Sequence, residues 1–219
     1  MVIIQSSSGV EAIHTSCFEL RFRWHEDRWR HEVVSVGPSG SIPRLASLEA
    51  ILAEDDHSRV ISPTYQQIHM EQDASGSVRA FLIGQSGPHH FSAVFLVEED
   101  AEAASIDVDA ADRCLSPVLA LAATYSVEAS SGEWGSQAIS DPDPDASGRS
   151  KVTIQCSHPV CCLTFEVDPP GRHAVEEAGH GAVRVQAVSS PELSDHTHRF
   201  RYRWRWEKDK QPSVWDHNA

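Results

Sequence analysis

The sequence has no apolar run long enough to cross a bilayer, and it has few aromatic residues and only five cysteines. A membrane-spanning helix needs about 20 consecutive apolar residues, so no such helix is predicted. The first residues lack a basic region and a long apolar stretch, so no secretory signal peptide is expected. An odd number of cysteines without regular spacing is typical of reduced thiols inside a cell. We therefore expect a soluble, cytoplasmic protein.

Positive charge is also scarce, with 18 Lys and Arg against 32 Asp and Glu and a formal net charge of −14. Ten of the basic residues fall in residues 17–31 and 196–210, which together carry +5, whereas the rest of this acidic protein carries −19. An acidic body repels nucleic acid and anionic lipid over a screening length of about 8 Å. We therefore predict neither a nucleic-acid partner nor a membrane partner.

The signatures of common enzyme classes are missing as well. The sequence contains no Walker, dinucleotide-binding, Cys-x-x-Cys or Gly-x-Ser-x-Gly motif. His89 and His90 follow a Gly-Pro turn, and one of them is expected near the core because successive strand residues point to opposite faces. The sequence does not decide whether the protein is an enzyme, and no cofactor is predicted.

What the sequence does contain is a strand-like segment that occurs twice, at residues 14–24 and 196–206, with six of eleven positions identical. Both copies alternate apolar or aromatic residues with charged ones, which is the period of a strand with one buried face. A matching element near each end indicates an internal duplication of a β domain closed by its own ends. We expect the terminal strands to lie close together and to bury Phe18, Phe22, Trp24, Phe200, Tyr202 and Trp204.

The first copy predicts a hairpin whose turn is made by residues 25–28. Its apolar faces stay in register if Trp24 pairs with Trp29. This register also predicts the pairs Phe22 with His31, Leu20 with Val33, Arg23 with Arg30, and Arg21 with Glu32.

Further strand and turn signals recur at hairpin spacing, near residues 64–72, 77–84 and 90–98. The predicted fold class is mainly β: an antiparallel β-sandwich or partly closed barrel with one short helix. The helix is expected at about 43–54, where Pro43 precedes leucines and isoleucine at helical spacing. Residues 1–112 and 113–219 are predicted as two related β units, either separate or forming one continuous domain. Residues 129–150 are rich in Ser, Gly, Asp and Pro and are predicted to be a mobile loop.

Six arginines form the first candidate site. Like charges opposite one another destabilise a sheet, so these side chains need counter-charge from acidic neighbouring strands or from an anionic ligand. A guanidinium binds carboxylate or phosphate through two hydrogen bonds, so the second reading predicts an anion site. The residues are Arg199, Arg201, Arg203 and Arg205 on one face of the final strand, and Arg21 and Arg23 on its counterpart.

Two histidines form the second candidate site. His196 and His198 are two residues apart, which places both imidazoles on one face of a strand in a geometry that can chelate a metal. The sequence identifies no third ligand. Capping or surface hydrogen bonding is the alternative role for this pair.

These observations support three functional hypotheses. The leading one is a non-catalytic binding or interaction module, whose partner is a protein or a small anionic ligand of unknown identity. The alternative is a β-barrel enzyme or binder with an arginine-lined tunnel for a phosphorylated or polycarboxylate ligand. The third is a metal-dependent enzyme built around His196 and His198.

Overall fold

The structure is a computed structural model that describes residues 1–35, 44–48, 50–51, 57–128, 137–140, 148–157, 160–169, 172–177, 182–189 and 196–207. The described residues form strands, turns and connections and include no helix, hence none that could cross a membrane. The strands in chain order are β1 (Ile3–Ser7), β2 (Val10–His14), β3 (Phe18–His25), β4 (Arg28–Ser35), β5 (Arg44–Ser47), β6 (Ala50–Ile51), β7 (Arg59–Ser62), β8 (Gln67–Gln72), β9 (Val78–Ser86), β10 (His89–Glu99), β11 (Ala103–Cys114), β12 (Ala120–Glu128), β13 (Gln137–Ser140), β14 (Ser150–Ser157), β15 (Val160–Val167), β16 (Arg172–Glu177), β17 (Ala182–Ser189) and β18 (Thr197–Glu207).

These strands form two largely antiparallel sheets, as expected for a mainly β sandwich. Sheet 1 has the order β1-β2-β3-β4-β5-β12-β17-β16, and β7 joins it by pairing parallel with β12 and antiparallel with β6. Sheet 2 has the order β13-β14-β15-β18-β11-β10-β9-β8. Within the described ranges no strand pairing closes either sheet into a barrel. The protein is therefore a sandwich rather than a barrel.

The inner faces of the two sheets share one hydrophobic core. Phe22 of sheet 1 meets Phe95 of sheet 2 edge to face, with ring centroids 5.6 Å apart. Along β18 the inward positions are buried and the outward ones are exposed or half-buried, as the alternating sequence predicts. Burying each large apolar side chain stabilises the fold by about 1.5–3 kcal/mol.

The N-terminal hairpin forms with the predicted register. β3 and β4 pair Trp24 with Trp29 and continue through all the pairs expected from the sequence. Glu26 takes a positive φ of 57° in the turn, a conformation that suits a tight hairpin connection. The alternation of apolar and charged residues thus specified both the pairing and the buried face.

The terminal strands approach each other across the core, as predicted. Phe18 at the start of β3 packs against Trp206 at the end of β18, with ring centroids 4.3 Å apart. Five of the six aromatic residues expected in the core are buried. Trp24 is the exception: it is 44% exposed and packs edge to face on Trp29 near the turn. The internal duplication itself stays a prediction.

The short helix predicted at 43–54 is wrong for the residues that the structure describes. Residues 44–47 form β5, which pairs with both β4 and β12, and residues 50–51 form β6. Leu45 is fully buried between these neighbours, so strand pairing prevails over the helical spacing. Residues 43, 49 and 52–54 lie outside the described residues.

The predicted loop over 129–150 contains β13, and β14 begins at its last residue; residues 129–136 and 141–147 lie outside the described residues. Both predicted units, 1–112 and 113–219, contribute strands to both sheets. The division into two units stays a prediction.

Candidate functional site

The arginine ladder, defined as Arg199, Arg201, Arg203 and Arg205, lies on the outer face of β18 in sheet 2. The side chain of Arg199 is 60% exposed and that of Arg201 is 54% exposed. The aromatic residues of β18 point the other way, into the core. The ladder therefore faces outward from the sandwich rather than into a tunnel.

Acidic residues of the neighbouring strand β11 pair with the ladder. Asp109 accepts hydrogen bonds from Nε and Nη2 of Arg199 and, at 2.9 Å, from Nε of Arg201. Nε of Arg203 donates to Asp107 at 2.5 Å. Partial burial raises the pKa of Asp109, but the hydrogen bonds from the two arginines outweigh it and hold that pKa below its ordinary value. Protein carboxylates thus provide counter-charge for three of the four ladder arginines: Arg199, Arg201 and Arg203.

Charged side chains are neighbours across most of sheet 2, where they form one row of cross-strand register partners on the outer face. Because the row alternates in sign over much of its length, neighbouring charges on the sheet attract rather than repel each other. Its members, in order from β8 to β14, are Glu71, Arg79, Leu96, Asp107, Arg203, Glu166 and Lys151.

Arg21 and Arg23 do not join the ladder, because β3 belongs to sheet 1. Nε of Arg21 donates to Glu19 at 2.5 Å, and Nε of Arg23 donates to Glu32 at 2.8 Å. Partner hydrogen bonding outweighs burial and raises the pKa of Arg21. The six arginines of the predicted anion site are therefore divided between the two sheets, and the role of each group in binding stays a prediction.

The histidine pair is split between surface and core. His196 is exposed just before β18, whereas His198 is buried on the inner face of that strand. In the part of the chain that the structure describes, no three His, Cys, Asp or Glu side chains are arranged to hold a metal ion. The structure supplies no third described ligand for the predicted metal site.

A buried polar cluster that the sequence reasoning missed lies at the same end of the core. Nδ1 of His89 is 2.8 Å from Oδ2 of Asp112, and Nε2 of His89 is 2.5 Å from the carbonyl oxygen of His57. Carboxylate and carbonyl oxygens only accept hydrogen bonds, so both nitrogens of His89 donate and the imidazole is charged. Burial lowers the pKa of His89, but its bonds to Asp112 and His57 and the carboxylate charge outweigh burial and raise it. His90 is exposed, so one of the two histidines lies in the core as predicted.

A second buried polar group joins the two sheets. The Tyr125 oxygen of β12 is 2.9 Å from Nε2 of His31 in β4 and 2.7 Å from the Tyr202 oxygen of β18. All three side chains are buried. Burial lowers the pKa of His31 to about 3, so this imidazole is neutral and serves as a structural hydrogen-bonding group.

On the outer face of sheet 2, the small side chains of Ser92 and Ala111 separate the apolar residues Phe81 and Ile83 from the cationic residues Arg199 and Arg201; we call this part of the face the groove. Register places Ile83, Ser92, Ala111 and Arg199 in one row across four strands, and Phe81 and Arg201 belong to the next row. Ile83 is 51% exposed. The small side chains leave room between the apolar residues and the cationic ones.

A depression of about 550 Å³ lies at one end of the groove. Its lining includes the next row of the same face, with Gln85, His90 and Arg113 as register partners. Pro88 and Leu115 add apolar surface, and Leu115 is 74% exposed. Groove and depression together bring accessible apolar and cationic groups side by side on this face of the sheet.

Comparison with known proteins adds no functional assignment. No protein-family model matches the sequence, and no curated protein is significantly similar to it.

Proposed function

We propose that the protein is a non-catalytic interaction module that binds a protein partner in the groove on the outer face of sheet 2. The observation that carries this proposal is the exposure of Ile83 in a row of small side chains that ends at Arg199. Such an arrangement offers apolar area to a partner together with charges that fix its orientation.

The energetic case rests on Ile83 and its neighbour Phe81. Fully burying a side chain of this size stabilises a complex by about 1.5–3 kcal/mol before the costs of association. Charged groups beside such a contact contribute more to specificity and to the association rate than to affinity. Arg199 and Arg201 fit that role because Asp109 holds both in place.

A small anionic ligand on the ladder is disfavoured by the same contacts. To bind a phosphate or polycarboxylate, Arg201 would have to leave Asp109, and Arg203 would have to leave Asp107. The ligand would also meet the negative charge that these carboxylates then expose. A protein partner with apolar side chains requires no such exchange.

Site-specific photo-crosslinking tests the proposal. A photoreactive residue in place of Ile83 should capture a discrete protein in native cells, whereas the same residue in place of exposed Ser7 on sheet 1 should not. Ile83→Glu should abolish formation of that complex without changing the melting temperature. Identical products from both positions, or an intact complex with Ile83→Glu, would contradict the proposal.

A further inference from the structure

Within the described part of the chain, one end of the groove has more positive charge than its own carboxylates balance. Arg199 and Arg201 share Asp109, so two guanidinium groups have one carboxylate between them. Arg113 is exposed at the next row and makes no ion pair or side-chain hydrogen bond with the described residues. Among the residues that the structure describes, this end of the groove therefore has three guanidinium groups and one paired carboxylate, in a chain whose net charge is −14.

This cationic end adjoins exposed apolar surface. Arg113 and Leu115 both line the depression at the end of the groove, together with Pro88. Ile83 lies one row away on the same face. A ligand seated here would meet guanidinium groups and apolar side chains at the same time.

We infer that this end of the groove binds an extended peptide segment of the partner that carries both acidic and apolar side chains. The inference rests on the proposed function and specifies the chemistry of the partner. A guanidinium binds a carboxylate through two hydrogen bonds, which assigns an acidic side chain to Arg113, whose guanidinium makes no ion pair with the described residues. Arg199 keeps its bonds to Asp109 and adds positive charge nearby. Ile83 and Leu115 are more than half exposed and take the apolar side chains.

The acidic body of the protein and the apolar side chains of the groove together argue against a nucleic acid or inorganic phosphate as the ligand. The acidic body repels a polyanion such as a nucleic acid once it extends beyond the cationic end, within a screening length of about 8 Å. Inorganic phosphate would gain nothing from Ile83 or Leu115. A short segment with a few carboxylates places its charges only where the guanidinium groups lie.

Fluorescence anisotropy with three probes tests the inference: a peptide alternating Glu with Phe and Leu, a peptide of equal charge alternating Glu with Ser, and inorganic phosphate as a competitor. The first peptide should bind saturably, the second at least about tenfold more weakly, and phosphate should not compete. Arg113→Gln should weaken the first peptide about tenfold, as expected for loss of a charge-assisted hydrogen bond. Lys151→Gln, which removes an exposed cation outside the groove, is the matched control and should change nothing.

Equal binding of both peptides, displacement by phosphate, equal effects of the two substitutions, or no binding at all would overturn the inference. If the peptides fail while crosslinking at Ile83 still captures a protein, only the predicted chemistry of the partner is wrong. If crosslinking fails as well, the proposed function is wrong.

Discussion

The imidazole of His89 and the carboxylate of Asp112 form an ion pair in a site where neither side chain is exposed to solvent, with Nδ1 2.8 Å from Oδ2. Cys114 lies opposite His89 on β11, and His198 lies opposite Asp112 on β18. His57 completes the surroundings through its carbonyl oxygen. The pair links β10 to β11 and, through His57, to the segment that leads into β7.

The first prediction concerns pH. Because the pKa of His89 is raised above its ordinary value of 6.5 in the folded protein, the folded state binds this proton more tightly than the unfolded state. The resulting stability is fully present below pH 6.5 and is lost as pH rises through the folded pKa. Urea denaturation across this range should show the loss, and His89→Gln should remove it. Stability that rises with pH, or an NMR titration of His89 below 6.5, would contradict this prediction.

The second prediction compares two aspartates of the same strand. Asp112→Asn removes the charged partner of buried His89 and should lower the free energy of unfolding by about 3–5 kcal/mol. Asp109→Asn is the matched control on the outer face, where partly exposed ion pairs contribute about 0–1 kcal/mol each. Chemical denaturation of both variants measures the difference. Equal losses would show that the buried pair has no special structural role.

The third prediction concerns the hydroxyl groups that connect the sheets. Tyr125→Phe and Tyr202→Phe should each cost about 1–3 kcal/mol, because each leaves a buried polar atom without this partner. A double-mutant cycle should give a coupling energy of about 1 kcal/mol, since the two oxygens are 2.7 Å apart. Purely additive losses would mean that this hydrogen bond contributes little to holding the sheets together.

The fourth prediction concerns the arginine ladder. Replacing both Arg201 and Arg203 by Gln should cost at most about 1–2 kcal/mol through lost surface pairs and the packing of the arginine stems. Triphosphate should not raise the melting temperature of the natural protein beyond a control of matched ionic strength. A clear rise that disappears in the double variant would instead identify the ladder as an anion site.

Local alternation was enough to predict the hairpin of β3 and β4, because register follows from matching apolar faces across a short turn. The local pattern was misleading at Leu45. Helical spacing predicted a helix there, but pairing with β12, some 80 residues away, makes this segment a strand. Asp112 interrupts the apolar positions of β11 at an inward site, which was a usable signal of a buried pair. Its partner was not deduced, because the register of β10 on β11 depends on where the connection after Glu99 ends. The third member, His57, comes from a segment about 30 residues away from His89.

The position of β18 between β11 and β15 has a consequence for how the chain folds. Its pairs with β11 join residues about 90 positions apart in the sequence, and such non-local contacts slow folding because long loops must close first. Until residues 197–207 are available, the meander β8–β11 presents the bare edge of β11, and unpaired strand edges promote aggregation. Because β12 to β17 are synthesised before β18, the edge of β11 gains this partner only after the chain has been made to residue 197 and beyond, and β18 is the strand that covers it.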